Sequence, residues 1–261
     1  MVLSDIIDSG PVAYGYLGGV WQAKMLSEVI LRQFDIRYTE QHVRRLIRDL
    51  GFSIQSPTRF LALGDPLAKE KWRKYTYPLV KKQAQDDGGQ VIFEDEVTFR
   101  QDSTLHRTWS RIGDQPLVKV TGGRKSMKMF GAVNLHSGRL LCQESSSGEL
   151  NADTYLRFLH HLASHSNGRK IYLIHDNASY HHDEAVLDFF QRYSKWIAAH
   201  PLPPYSPELN PIECVWKYFR KTGTHNQFFR DIDEVRTCVN RVKRKIQNNP
   251  SLISGYLRPF L

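Results

Sequence analysis

The sequence predicts an α/β protein in which a mixed sheet with flanking helices follows a small all-α unit. Three observations lead there. Residues 19–50 carry apolar side chains at helical spacing only. Residues 90–144 read as successive strands, the last two joined by the turn His136-Ser137-Gly138. Beyond Asn151, helical and strand patterns alternate, the order expected when helices cover a sheet.

In the first region a helix over Val20–Phe34 places Leu26, Val29, Ile30 and Phe34 on one face. Thr39 caps a second helix whose buried stripe is Val43, Leu46, Ile47 and Leu50, and Gly51 ends it. Arg44, Arg45 and Arg48 fall outside that stripe. Arginines on the exposed face of the second of two short helices fit a helix-turn-helix, whose second helix enters the major groove. Ser56-Pro57-Thr58-Arg59 reads as a wing or as the start of a linker. The plain alternative is a helical hairpin with solvated arginines.

Residues 66–85 follow as a polar helix with six Lys or Arg, kinked or split at Pro78, and Asp86-Asp87-Gly88-Gly89 closes it. The strands expected next are Gln90–Phe99, Thr104–Trp109, Leu117–Val120, Met127–Leu135 and Arg139–Glu144. Helices over Asn151–His165 and His182–Tyr193 alternate with strands over Lys170–His175 and Trp196–Ala199, and helices over Pro211–Lys221 and Ile232–Gln247 end the pattern. The division this suggests is a DNA-binding unit at 1–60, a basic connector at 61–89, an α/β domain at 90–225 and a basic helical tail at 226–261.

Charge suits a polyanion partner, with a solvated basic helix as the plain alternative. There are 36 Lys and Arg against 27 Asp and Glu, a formal charge of +9. Residues 214–261 hold 10 basic and 3 acidic side chains, whereas residues 151–213 hold 5 against 7. No apolar run approaches the roughly 18 residues of a membrane span, and the acidic start is unlike a signal peptide, so an intracellular, cytoplasmic protein is expected. Cys142, Cys214 and Cys238 are odd in number and form no Cys-x-x-Cys pair, which argues against a disulfide framework. The histidines show no His-Glu-x-x-His pattern, and no zinc site is expected from them.

Three carboxylates stand where chemistry is usually built. Asp95 is near the end of one strand, Asp176 directly follows another, and Glu213 opens a helix after Pro203–Pro211. Carboxylates converging at strand ends need cations to stay charged together, and Mg²⁺ is the usual one. Each also has a local structural explanation. Asp176-Asn177 suits a turn, and Asn210-Pro211-Ile212-Glu213 suits a capped helix start. Asp95 shares a strand face with Val91, Phe93 and Val97, where an unpaired carboxylate is costly.

Three blocks carry a family resemblance: Phe93-Glu94-Asp95-Glu96, then His175-Asp176-Asn177-Ala178-Ser179-Tyr180-His181, then the long segment Leu202 to Trp216. Trp109, Gly113–Pro116 and Gly122-Gly123-Arg124-Lys125 add to it. Together, over about residues 20–220, they resemble bacterial insertion-sequence transposases of the mariner superfamily. The resemblance implies an RNase H-like catalytic domain with a DDE triad on Asp95, Asp176 and Glu213, 36 residues separating the last two. It also implies two Mg²⁺ ions (or Mn²⁺), cleavage at transposon ends, and joining of the freed 3′-hydroxyl to target DNA at TA sites. The partners expected are terminal inverted repeats, target DNA and a second copy of the chain. DNA contacts are expected from Arg44, Arg45, Arg48, Arg59, Arg124 and Lys125.

Many members of that family carry a second helix-turn-helix upstream of this one. The single module expected here suggests a downstream product of a split gene, a truncated copy, or a member that works with one. Two other functions compete: a transposase-derived DNA-binding regulator, and a Mg²⁺-dependent nuclease that cuts without joining.

Overall fold

In a computed structural model of the chain, residues 2–55 and 64–260 are described. Arg59 and the Ser56–Arg59 segment lie outside them. The chain divides into two compact units, Met1–Phe60 and Leu61–Leu261.

The first unit holds α1 (Leu3–Ser9), α2 (Ala23–Phe34) and α3 (Glu40–Asp49). Ile6, Leu26, Val29, Ile30 and Val43 form its core. The Thr39 hydroxyl accepts the His42 N–H at 3.3 Å, capping α3. At the other end Gly51 takes φ +87°, and Gly51 N–H and Phe52 N–H reach back to the Arg48 and Ile47 carbonyls at 2.9 and 3.1 Å. That paired closure needs a left-handed residue, which glycine supplies. Leu50, expected in the buried stripe, is instead exposed, because α3 ends one residue before it. The helix α1 carries no expectation from the sequence.

The second unit is built on a five-stranded sheet: β1 (Gln90–Arg100), β2 (Ser126–Asn134), β3 (Leu140–Glu144), β4 (Ile171–His175) and β5 (Ile197–Pro201), in the order β3-β2-β1-β4-β5. β1 to β3 form an antiparallel meander, and β4 and β5 add to β1 in parallel. The strands expected at Thr104–Trp109 and Leu117–Val120 are absent. Residues 101–125 run as a loop that joins no edge of the sheet, its ends closed by the Gln101 N–H donating to the Lys125 carbonyl at 3.0 Å. Asn226 ties that loop down at its start, donating to the His106 carbonyl and accepting the His106 N–H, both at 2.8 Å. Farther along, Trp109, Ile112 and Leu117 are fully exposed.

Helices cover both faces. On one side α6 (Ala152–Ser164) and α7 (Glu184–Arg192) enclose Ile92, Phe130, Phe158, Leu173 and Ile197. On the other lie α4 (Pro66–Lys71) and α5 (Tyr77–Asp86), then α8 (Ile212–Phe219), α9 (Ile232–Asn248) and α10 (Ser251–Leu257). Both segments read as appendages belong to this core. Trp72, Tyr77 and Val80 bury against Phe93, and Val235, Val239, Val242 and Ile246 give α9 an apolar stripe beneath its basic face. The charge count along the sequence conceals that stripe. A π turn at Trp72–Thr76 separates α4 from α5. Pro78, which cannot donate to a carbonyl one turn back, follows directly. Among the described residues no helix is long and apolar enough to cross a membrane.

Candidate active site

The pairing of β1 with β4 ends at Phe93 opposite Ile174, while β1 continues with only β2 beside it. Asp95 and Glu96 lie on that continuation, and Asp176 is the first residue after β4. Carboxylates from distant parts of the chain therefore meet at the C-terminal ends of neighbouring parallel strands, the usual place for a site in such sheets. The segment after β5 supplies the third wall. Leu202 N–H donates to the His175 carbonyl at 2.8 Å, and Asn177 Nδ2 donates to the Leu202 carbonyl at 2.6 Å. Asn210 Nδ2 donates to the Glu94 carbonyl at 2.9 Å while its Oδ1 accepts the Ile212 N–H at 3.4 Å. Asn210 thus fastens the first turn of α8, and with it Glu213, to β1.

Asp95, Asp176 and Glu213 line one cleft of about 340 Å³, with Asn177, Tyr205 and Asn210 among its walls. Asp176 Oδ1 accepts the Ala178 N–H at 2.9 Å, and Asp95 Oδ2 accepts Trp216 Nε1–H at 3.0 Å. Burial first, then the neighbouring Glu96 and Glu213 carboxylates, push the Asp95 carboxyl well above the usual carboxylate range. Like charges gathered in a half-buried cleft are relieved by protons or by a cation. Oxygens of Asp95, Glu96 and Asp176 fall within 4.8 Å of one another, an all-oxygen set that fits a hard divalent ion such as Mg²⁺ or Mn²⁺.

Glu96 is missing from the residues chosen on the sequence. Strand alternation turns it away from Asp95, and only the early end of β4 lets it approach Asp176. The signal was the acidic run Glu94-Asp95-Glu96 itself. His175 does not line the cleft. It is buried below, its Nδ1 3.1 Å from His181 Nδ1, and burial pulls it down to about 3. Tyr205 holds φ +54° in the cleft wall, a left-handed conformation unusual for its type.

Arg44, Arg45 and Arg48 in the first unit, and Arg124 and Lys125 in the second, are exposed. Arg44 pairs with Glu40 at 3.0 Å, and Arg45 Nη2 lies 2.9 Å from His42 Nδ1. Arg48 shares their helix, and Arg124 and Lys125 precede β2 on the loop side.

The strand order and the helices on both faces define an RNase H-like α/β domain with an acidic cleft at its strand ends. The chain belongs to the DDE superfamily endonuclease family, which it matches over residues 90–236. A winged helix-turn-helix family matches residues 18–76. The chain is 24% identical over 226 residues to the insertion element IS630 uncharacterized 39 kDa protein of Shigella sonnei, covering 86% of this chain and 64% of that protein. It therefore spans a little under two thirds of the length of that relative. Among solved structures it resembles the Mos1 transposase paired-end complex with left transposon end (TM-score 0.61, 16% identity, 98% of this chain and 77% of that one). It equally resembles the mariner Mos1 paired end complex with Mg, at TM-score 0.61 and 16% identity, covering 98% of this chain and 75% of that one.

Proposed function

We propose that the protein is a DDE transposase that cuts transposon ends and joins them to target DNA. One observation carries this: Asp95, Asp176 and Glu213, spread over the whole domain in sequence, face a single cleft. Asp95, Asp176 and Glu213 are the catalytic carboxylates, and with Glu96 beside them they are the ligands of the metal. Two Mg²⁺ ions, or Mn²⁺ in their place, would supply a polarised water and stabilise the departing oxygen. Trp216 and the Ala178 N–H hold Asp95 and Asp176 in place, so the carboxylates are oriented before DNA arrives. In the first step water attacks the scissile phosphorus, the P–O3′ bond breaks, and a 3′-hydroxyl is released at the element's end. In the second, that hydroxyl attacks a target phosphodiester, displacing the target's own 3′-oxygen.

The DNA is double-stranded: terminal inverted repeats read by Arg44, Arg45 and Arg48 on α3, and a target at TA dinucleotides. Arg59, Arg124 and Lys125 contribute phosphate contacts. Two ends must be handled together, and a homodimer does so. The loop at 101–125 supports self-association, since Trp109, Ile112 and Leu117 present apolar surface that a lone chain leaves in water.

The test is Mg²⁺-dependent cleavage and joining of DNA bearing the element's own ends, wild type beside Glu213→Gln. Joined products that disappear in the variant support the proposal. Specific binding without cleavage would point instead to a DNA-binding regulator, and cleavage without joining to a nuclease.

A further inference from the structure

On the sheet face opposite Asp95, Glu94 and Glu96 point beneath α6 and the turn at Ser179–His182. Glu94 is completely buried, and among the described residues neither of its carboxylate oxygens has a hydrogen-bond partner. Its neighbours across the ladder to β2 are Ala132 opposite Glu94 and Phe130 opposite Glu96, which offer nothing polar. His181 is also buried, its Nε2 without a hydrogen bond and 3.5 Å from Glu96 Oε1. One ligand atom each from Glu94, Glu96 and His181 fall within 4.8 Å of one another. Tyr155, whose buried hydroxyl also lacks a partner, holds its ring 4.4 Å from that of His181, tilted by 38°.

Two carboxylates and an imidazole enclosed by aromatic rings are a costly arrangement for side chains alone, because a buried charge needs a partner. Glu96 Oε1 accepts the Tyr180 hydroxyl, so the groups left without a partner are the Glu94 carboxylate and His181 Nε2, and a cation supplies one for both with Glu96 as its third ligand. Nitrogen beside oxygen in the donor set favours a transition ion over Mg²⁺. We propose that Glu94, Glu96 and His181 form a second metal site, holding a divalent transition ion of the zinc or manganese kind behind the acidic cleft. Glu96 also neighbours Asp95 and Asp176, so an ion held there ties the inner face of β1 to the cleft and fixes the turn after β4. Burial explains why the ion enters during folding and leaves slowly.

The site stands whether or not the cleft cuts DNA, and the test separates the two. The full chain is refolded with Zn²⁺, and separately with Mn²⁺, then passed through gel filtration in excess Mg²⁺ and assayed for retained metal. One equivalent of a transition ion per chain is expected. It should persist in Glu213→Gln, which disables only the cleft, and fall at least tenfold in Glu94→Gln and in His181→Gln. With excess Mg²⁺ present to fill the cleft, Zn²⁺ or Mn²⁺ should also raise the melting temperature of the wild type further, and add nothing to that of Glu94→Gln. No retained ion, or equal retention in Glu94→Gln, would overturn the site. So would a Glu94→Gln chain that melts higher than the metal-loaded wild type, because Glu94 would then be a buried acid that an amide replaces with gain.

Discussion

The indole of Trp216 lies over Gly131 and donates its Nε1–H to Asp95 Oδ2 at 3.0 Å, although 121 positions separate the two partners in sequence. Gly131 is the residue directly opposite Asp95 in the β1–β2 ladder. A β carbon there would meet Trp216 Cη2 at 2.2 Å, so the ring fits only because that position lacks a side chain. One helix, one ladder pair and one carboxylate are coupled through a single aromatic ring.

Trp216→Phe keeps an aromatic ring but removes the donor and the part of the indole that lies over Gly131. A hydrogen bond to a charged acceptor contributes about 1.5–3 kcal/mol, and each ~1.4 kcal/mol is tenfold in rate. Cleavage by the variant should slow by about tenfold or more, and its melting temperature should fall as well, because the smaller ring leaves a cavity in the core. An unchanged rate would mean that Asp95 needs no such orientation.

Gly131→Ala should be damaging out of proportion to its size. The added methyl meets a ring wedged in the core rather than a flexible chain end, and overpacking of this kind costs about 1–3 kcal/mol. Urea denaturation should show the loss. Paired with Trp216→Phe, a double-mutant cycle should give a non-additive result, since the two residues share one contact.

Asp95→Asn should trade activity for stability. Burial and the neighbouring Glu96 and Glu213 disfavour the ionised carboxylate, so a neutral amide of the same shape is better tolerated. In chelator at neutral pH the variant should melt above the wild type while cleaving no DNA. Divalent cation should raise the melting temperature of the wild type more than that of the variant.

Cys142 should resist thiol reagents in the folded chain. Burial pushes its thiol from 9.0 up to about 12, which leaves almost no thiolate near pH 8. The same shift makes stability fall as pH rises above 9, because the unfolded thiol ionises first. The slope is about 1.4 kcal/mol per pH unit until the folded thiol itself ionises. Cys142→Ala should remove that alkaline contribution, which denaturation at pH 8.5 and 10 would reveal.

Arg48→Ala should weaken binding to end DNA and lower the slope of log affinity against log salt by about one phosphate contact. Arg44, held at 3.0 Å by Glu40, is partly neutralised where it stands. Replacing Arg44 should therefore matter less, unless DNA displaces the carboxylate. Equilibrium binding across a salt series distinguishes these outcomes.

Local chemistry made much of this protein legible from its sequence. Apolar periodicity marks α2, α3, β1, β4 and α6 because each buries one face, and Thr39 and Gly51 bracket α3 by capping rules that act within a few residues. The positions of Asp176 and Glu213 at element ends were equally visible, whereas Asp95, expected near a strand end, lies in the middle of β1 and comes to the site because its pairing with β4 stops at Phe93. Tertiary structure alone decided what meets what. The loop at 101–125 joins no edge of the sheet, an outcome of the assembled fold that the strand-like pattern of those residues does not reveal. The basic C-terminal segment turned out to be core because its apolar stripe is diluted in sequence by the lysines and arginines around it. Glu96 comes within 4.8 Å of the Asp176 carboxylate, from behind the cleft, only because β4 stops before β1 does. Likewise, Glu94 and His181 lie 87 residues apart, and nothing in their spacing tells that the fold shuts them together out of water.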